Sequence, residues 1–155
     1  MSTKTYKRIH KRRRGTAIVE TQKGILVTAG RSKKFMLPGG GASKRETRTI
    51  AAMRELLEET GLQTYYAKYL FHHRGKVHTH GHYRDYHTVC LIKARGSPHP
   101  HHEIRYIEYY RPDSDINISI DTNDIIERYY KYRKRSRLRR EARHFVYRIR
   151  EWLGF

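Results

Sequence analysis

The sequence predicts an α+β fold, an α/β/α sandwich in which a mixed β-sheet is packed between helices and a basic helical segment is added at the C-terminal end. Three observations carry this reading. Short apolar runs of strand type lie on both sides of a single segment with helical periodicity, giving the order strand, strand, helix, strands, helix. Asp121 to Leu153 contains neither Pro nor Gly, so nothing interrupts a helix there. A length of 155 residues with 37% hydrophobic side chains suits one compact domain with a few dozen residues to spare.

The first fourteen residues hold Lys4, Lys7, Arg8, Lys11, Arg12, Arg13 and Arg14 without an apolar rhythm, and are expected to form a basic arm. Ala17-Ile18-Val19 and Ile25-Leu26-Val27 flank Gln22-Lys23-Gly24, which suits a β-hairpin with Gly at its turn. Phe35-Met36-Leu37 leads into Pro38-Gly39-Gly40-Gly41, expected to be a backbone-controlled loop rather than a regular element. From Thr47 to Thr60, Ile50, Met53, Leu56 and Leu57 recur at helical spacing, with Thr47 as N-cap and Gly61 as a left-handed C-terminal cap. Tyr65 to Phe71, Tyr83 to Ala94 and Ile104 to Tyr110 then read as strands. In the last segment Ile125, Ile126, Tyr129 and Tyr130 supply one inner face, and Phe145, Val146, Ile149, Trp152 and Leu153 another. Between them Lys131 to Arg143 reads as an exposed basic helix or a disordered connector. The expected division is therefore a basic arm over 1–14, a domain over 15–130 and a basic extension over 131–155.

A formal net charge of +19, from 34 Lys and Arg against 15 Asp and Glu, implies a polyanionic partner or substrate. It selects none among nucleic acid, an anionic membrane surface and a phosphorylated small molecule, and a generally basic milieu also accounts for it. Cys90 is the lone cysteine and sits in the apolar run Val89-Cys90-Leu91-Ile92, which rules out an intrachain disulfide and any zinc site of paired thiolates. No stretch reaches the ~18 apolar residues of a bilayer span. A cytoplasmic protein with no membrane span is expected.

Chemistry concentrates in the central helix. Glu55, Glu58 and Glu59 stand at i, i+3 and i+4, crowding three carboxylates onto one face at a cost of a few tenths of a kcal/mol per like-charged pair. A divalent cation removes that cost, and oxygen donors suit Mg²⁺ or Mn²⁺. Taken alone, the trio also fits an ordinary acidic helix face. Upstream, Gly39-Gly40-Gly41 gives a backbone able to approach a phosphate or lend a carbonyl to a metal, with Glu46 at its far end.

Gly40, five residues, Glu46, seven residues, Arg54-Glu55-Leu56, one residue, Glu58-Glu59, one residue, Gly61-Leu62 resembles the Nudix box at all nine specified positions over 23 residues. Leu37-Pro38-Gly39 resembles the family's lead-in, and the element order is similar from about Gly15 to about Ile126. The resemblance implies that Glu55, Glu58 and Glu59 bind the metal together with the Gly40 carbonyl, that Arg54 orients Glu55, and that Glu46 braces loop and helix. It further implies another Glu, late in the sheet, as ligand or general base, for which Glu103 is the candidate and Glu108 the alternative.

The implied activity is Mg²⁺-dependent hydrolysis of a diphosphate linkage in a nucleoside diphosphate derivative or similar polyanion. Water attacks one phosphorus and Glu55 or Glu103 takes its proton. Alternatives are an RNA-binding module on the same scaffold, held through the arm and tail, and a pyrophosphohydrolase of RNA 5′ ends. A homodimer is compatible with either. Arg31, Lys33 and Lys34 precede the glycine loop and fit either substrate phosphates or solvent. His72, His73, His78, His80, His82 and His87 cluster around an expected exposed hairpin turn. They suit a second imidazole-based metal site, phosphate contacts, or no ligand at all. The tyrosines near 65, 66, 83, 86, 106, 109 and 110 are expected mostly as core or half-buried strand residues.

Overall fold

A computed structural model describes residues 8–78 and 80–153. Lys4 and Lys7 of the expected arm, and the side chains of Trp152 and Leu153, lie outside what is described. The chain divides between Thr122 and Asn123 into two units.

In the first unit, strands β1 (His10–Ile18), β2 (Glu20–Thr21), β3 (Gly24–Ala29) and β4 (Gly39–Gly41) precede helix α1 (Arg48–Thr60). Strands β5 (Gln63–His78), β6 (Tyr83–Arg95) and β7 (Tyr106–Tyr110) follow it. They form two sheets, one of order β4-β1-β6-β5 and one of order β2-β3-β7. Among the described strand pairs of the larger sheet, β1–β6 is parallel, Arg14 lying opposite His87 and Ala17 opposite Cys90, and the others are antiparallel, so this sheet is mixed as expected. Helix α2 (Ile120–Leu153) begins at the end of this unit and makes up the second.

Strand β1 begins inside the expected arm. His10 to Arg14 are exposed or half-buried and lack an apolar rhythm, but their backbone pairs with β6, and that ladder holds them as strand. The expected hairpin forms as β2–β3, with Thr21 opposite Gly24; Ala17 and Ile18 belong instead to the other sheet. The glycine run is also an element. Gly39 to Gly41 pair antiparallel with Thr16 to Arg14, because flanking chain on both sides is tied down. Leu37 donates its N–H to Thr122 Oγ1 at 3.2 Å, and Ala42 donates to the Arg13 carbonyl at 3.2 Å.

Helix α1 has the expected ends. Thr47 accepts from the Ile50 N–H at 3.2 Å, and Gly61 at φ 74° returns its N–H to the Leu57 carbonyl at 2.8 Å. Its inner face differs from expectation. Ile50 and Leu57 are exposed, whereas Ala51, Ala52 and Leu56 are buried, together with Glu59 and Thr60. Small residues face the sheet because backbone meets backbone there. A Cβ on Gly15 would collide with the Arg48 carbonyl and the Ala52 nitrogen. Around this contact Ala17, Val19, Leu26, Leu56, Cys90 and Ile92 form the core.

The hairpin of β5 and β6 carries the histidine-rich stretch. His80 lies in its exposed turn, as expected, and His78 stacks on Tyr83 with ring centroids 4.4 Å apart. Tyr65, Tyr66 and Tyr106 are exposed rather than core residues, while Tyr83, Tyr86, Tyr109 and Tyr110 are half-buried.

The second unit is one continuous helix, so Lys131 to Arg143 is helical rather than a connector. Ile125, Ile126 and Tyr129 are buried, as the spacing of the first part requires. Phe145, Val146 and Ile149 are exposed, contrary to the inner face expected for them. No described helix is long and apolar enough to cross a membrane.

Gly15→Ala, a change of one methyl group, is expected to lower stability by at least ~1–3 kcal/mol, since only backbone movement relieves the clash. Thermal or urea melts of parent and variant check this; an unchanged midpoint would disprove so close a helix–sheet contact.

Candidate active site

The side chain of Arg54 organises the acidic cluster. Its Nε donates to Glu46 Oε1 at 2.8 Å, one terminal nitrogen donates to Glu55 Oε1 at 2.9 Å and Glu58 Oε2 at 2.8 Å, and the other reaches Glu46 Oε2 at 3.1 Å and the Gly41 carbonyl at 3.0 Å. The guanidinium fork thus ties the glycine strand, the loop and the helix together. Glu46 also accepts from the Ser43 N–H at 3.1 Å, and its pKa is lowered, chiefly by the hydrogen bond from Arg54. The same bond to Glu46 raises the pKa of Arg54. Glu55 lies so close to β4 that a Cβ on Gly40 would fall on its carboxylate. A side chain there would displace the Glu55 carboxylate.

Glu59 points inward and is 8% exposed. Burial, then the negative charges of Glu55 and Glu103, push its pKa up to about 8, while Arg14 and a hydrogen bond from the Gly39 N–H pull the other way. Thr28 Oγ1 donates to Glu59 Oε2 at 3.4 Å. A carboxyl held beside two others is a costly arrangement for a metal-free protein and a favourable one for a cation. The donors present are carboxylates and a glycine backbone, all hard oxygens, and they fit Mg²⁺ or Mn²⁺.

Glu103 comes from the 96–105 loop, which is stapled to the end of α1. The His101 N–H donates to the Glu59 carbonyl at 3.1 Å and the His99 N–H to the Thr60 carbonyl at 2.9 Å. That docking brings Glu103 within electrostatic reach of Glu59. Glu108 sits on β7 opposite Val27 and is not among the groups that shift Glu59. Arg31 is exposed in the turn after β3.

Three supporting residues were not singled out from the sequence. Arg14 donates to the Gly39 carbonyl at 2.7 Å and acts on Glu59, Thr28 bonds Glu59, and Thr122 fixes Leu37. Alternation along β1 marks Arg12, Arg14 and Thr16 as one face, but only once the segment is known to be a strand. On that face Thr16 Oγ1 and His87 Nδ1 are hydrogen-bonded at 2.8 Å, and His87 Nε2 lies 3.8 Å from Asp121. Burial, then Arg14, lower the His87 pKa to about 4, so its ring is neutral at neutral pH. His72 bonds Thr88 at 3.2 Å. His87 and His72 therefore serve different polar contacts.

A two-sheet α+β unit with a capped helix presenting a carboxylate cluster to a glycine strand is the arrangement that the resemblance to the Nudix box implies. Residues 10–129 match the model of the NUDIX domain. The chain is similar to a crystal structure from Chromobacterium violaceum assigned to the nudix hydrolase family, with 32% identity, 90% of this chain and 95% of that one covered, and a TM-score of 0.68. It also resembles in fold the MutT NUDIX hydrolase from Burkholderia pseudomallei (20% identity, 76% and 97% covered, TM-score 0.63). An ADP-ribose pyrophosphatase from Streptococcus suis is a further likeness in fold (17% identity, 72% and 82% covered, TM-score 0.55). No curated protein matches the sequence. The chain belongs to the Nudix family and is a hydrolase acting on phosphoric anhydride bonds.

The raised Glu59 pKa has a consequence for stability. Its folded value of about 8 lies above its ordinary 4.5, so the stability contributed by the neutral carboxyl is complete below about 4.5 and is lost as pH rises through about 8. Glu59→Gln has no charge to acquire and is expected to gain in Tm relative to the parent across that window. Melts in chelator over a pH series check this, and a Tm difference independent of pH would show that Glu59 is not destabilised as an anion.

Proposed function

We propose that the protein is a Mg²⁺-dependent pyrophosphohydrolase that cleaves the diphosphate linkage of a nucleoside diphosphate derivative or a similar polyanion. The observation that carries this reading is the buried Glu59 grouped with Glu55 and Glu103, with Glu55 lying directly against Gly40. Glu55, Glu58 and Glu59, with the Gly40 carbonyl, would hold the cation. When bound, it supplies charge neutralisation on the phosphate oxygens and lowers the pKa of water.

The chain's own residues supply the rest. Arg54 is hydrogen-bonded to Glu55 and Glu58 and keeps both on the side of the glycine strand, and Glu46 anchors Arg54 in turn. Gly41, with open space where a Cβ would stand, lets substrate phosphate approach the backbone. Glu103, or Glu55, accepts the proton of the attacking water as its oxygen bonds to phosphorus; the bridging P–O bond breaks and its electrons leave with the departing phosphate. Arg31, exposed near the entrance to the glycine strand in sequence, is assigned to the substrate's phosphates. Nucleoside diphosphate sugars suit the reading because the Streptococcus suis likeness is an ADP-ribose pyrophosphatase, and the charge of +19 favours anionic substrates in general. A cytoplasmic setting accords with a lone cysteine, Cys90, that is buried and unpaired in a disulfide.

Release of phosphate or nucleotide from ADP-ribose, dinucleoside polyphosphates and 5′-triphosphorylated RNA, with and without Mg²⁺, tests the proposal. Glu58→Gln is expected to lower kcat by at least about 10²-fold, the scale seen when one electrostatic element of a site is lost. Equal rates in parent and variant would remove the catalytic reading. Glu103→Gln is expected to lose about 10²-fold, with Glu108→Gln close to the parent. The reverse ranking would move the base to Glu108.

A further inference from the structure

Part of the positive charge that the catalytic cluster leaves unexplained lies on α2, and it is not spread evenly round the helix. Leu138, Ala142, Phe145 and Ile149 follow one another at i, i+4, i+7 and i+11, which places them along one line, with Val146 at its edge. The four large ones are open to solvent, Leu138 at 56%, Phe145 at 66%, Val146 at 53% and Ile149 at 40%. At 100° per residue this stripe spans roughly 100° of the circumference, and Arg139, Arg140, Arg143 and Arg150 occupy the arc beyond it. All four arginines are exposed. Within this stretch the one acidic side chain, Glu141, is bound by Arg137 at 2.8 Å.

We propose that residues 138–150 form an interfacial helix that lies flat on an anionic lipid surface, with Leu138, Phe145, Val146 and Ile149 in the acyl boundary and the arginines among the head groups. Charge complementarity selects this occupant. A basic amphipathic helix with Phe and Leu on its apolar face has both of its faces satisfied by such a surface. An RNA backbone would engage the arginines and leave four large apolar groups in water. A second copy of the helix would cover the stripe but bring Arg139 and Arg150 against their own kind along its edge. The helix lies on the surface and does not cross it, in keeping with the absence of a spanning segment among the described residues. The proposal is independent of which phosphoanhydride the enzyme cleaves.

The test is sedimentation of the full chain with vesicles of phosphatidylcholine, alone or mixed with phosphatidylglycerol, at low and high salt. The parent is expected to co-sediment with the mixed vesicles only and to retain part of its binding at high salt. Phe145→Ser/Ile149→Ser and Arg139→Gln/Arg143→Gln are each expected to lose at least about tenfold in partitioning. Both change exposed positions, and an unaltered thermal transition confirms folding. If the serine variant binds as the parent does, the attraction is that of a polycation alone and the proposal is overturned. It is equally overturned if no vesicle is bound and the serine substitutions instead abolish a dimer, binding to an acidic protein or an RNA complex.

Discussion

The contact on which the rest of the structure depends is the close approach of α1 to β1 and β4. Backbone meets backbone at Gly15, where a methyl group would strike the Arg48 carbonyl, and Glu55 fills the space where a side chain on Gly40 would stand. Ala51 and Ala52 face the sheet for the same reason. With the helix this near, the carboxylates of its middle turns project against a strand rather than into water, and a single guanidinium, that of Arg54, reaches Glu46, Glu55, Glu58 and the Gly41 carbonyl at once. Packing therefore sets the electrostatics of the site.

Those electrostatics are deliberately unbalanced in one place. Arg54 offsets the charge of Glu46, Glu55 and Glu58, but it makes no hydrogen bond to Glu59, which is left buried with its pKa raised to about 8 despite the pull of Arg14. In a protein with 34 cationic residues, shortage of positive charge is not the cause. The cations are placed elsewhere, and a divalent ion suits the gap that remains. The strand face carrying Arg12, Arg14 and Asp85 extends this polar surface beyond the carboxylates, with Arg12 bound to Asp85 at 3.0 Å.

The remaining charge serves a different purpose on α2. From Arg133 to Arg150 this helix is exposed wherever its side chains are described, so neither its arginines nor its apolar stripe contributes to a core. Such a helix is sustained by propensity and by solvent-exposed pairs such as Arg137 with Glu141, and an apolar stripe in water adds nothing to stability by itself. Its amphipathic pattern is best explained by something it meets. Hydrolysis and surface attachment are then separable properties of one chain.

Local chemistry written in consecutive residues was legible from the sequence alone: the Thr47 and Gly61 caps, the spacing of Glu55, Glu58 and Glu59 and the exposed histidine turn. These depend on backbone conformation within a turn or two, and the Nudix box is legible because its members are close together. What only the tertiary structure decided depends on residues far apart in the chain. Arg14 enters the site, and His10 to Arg14 become a strand, because β6 offers them a ladder some seventy residues away, as in the pairing of Arg14 with His87. Ile50 and Leu57 are outside because the sheet takes alanines instead, and Glu103 joins Glu59 because a loop caps the carbonyls at the end of α1. Hydrophobic periodicity records which residues prefer to leave water; it does not record how closely two backbones approach or which distant strand completes a sheet.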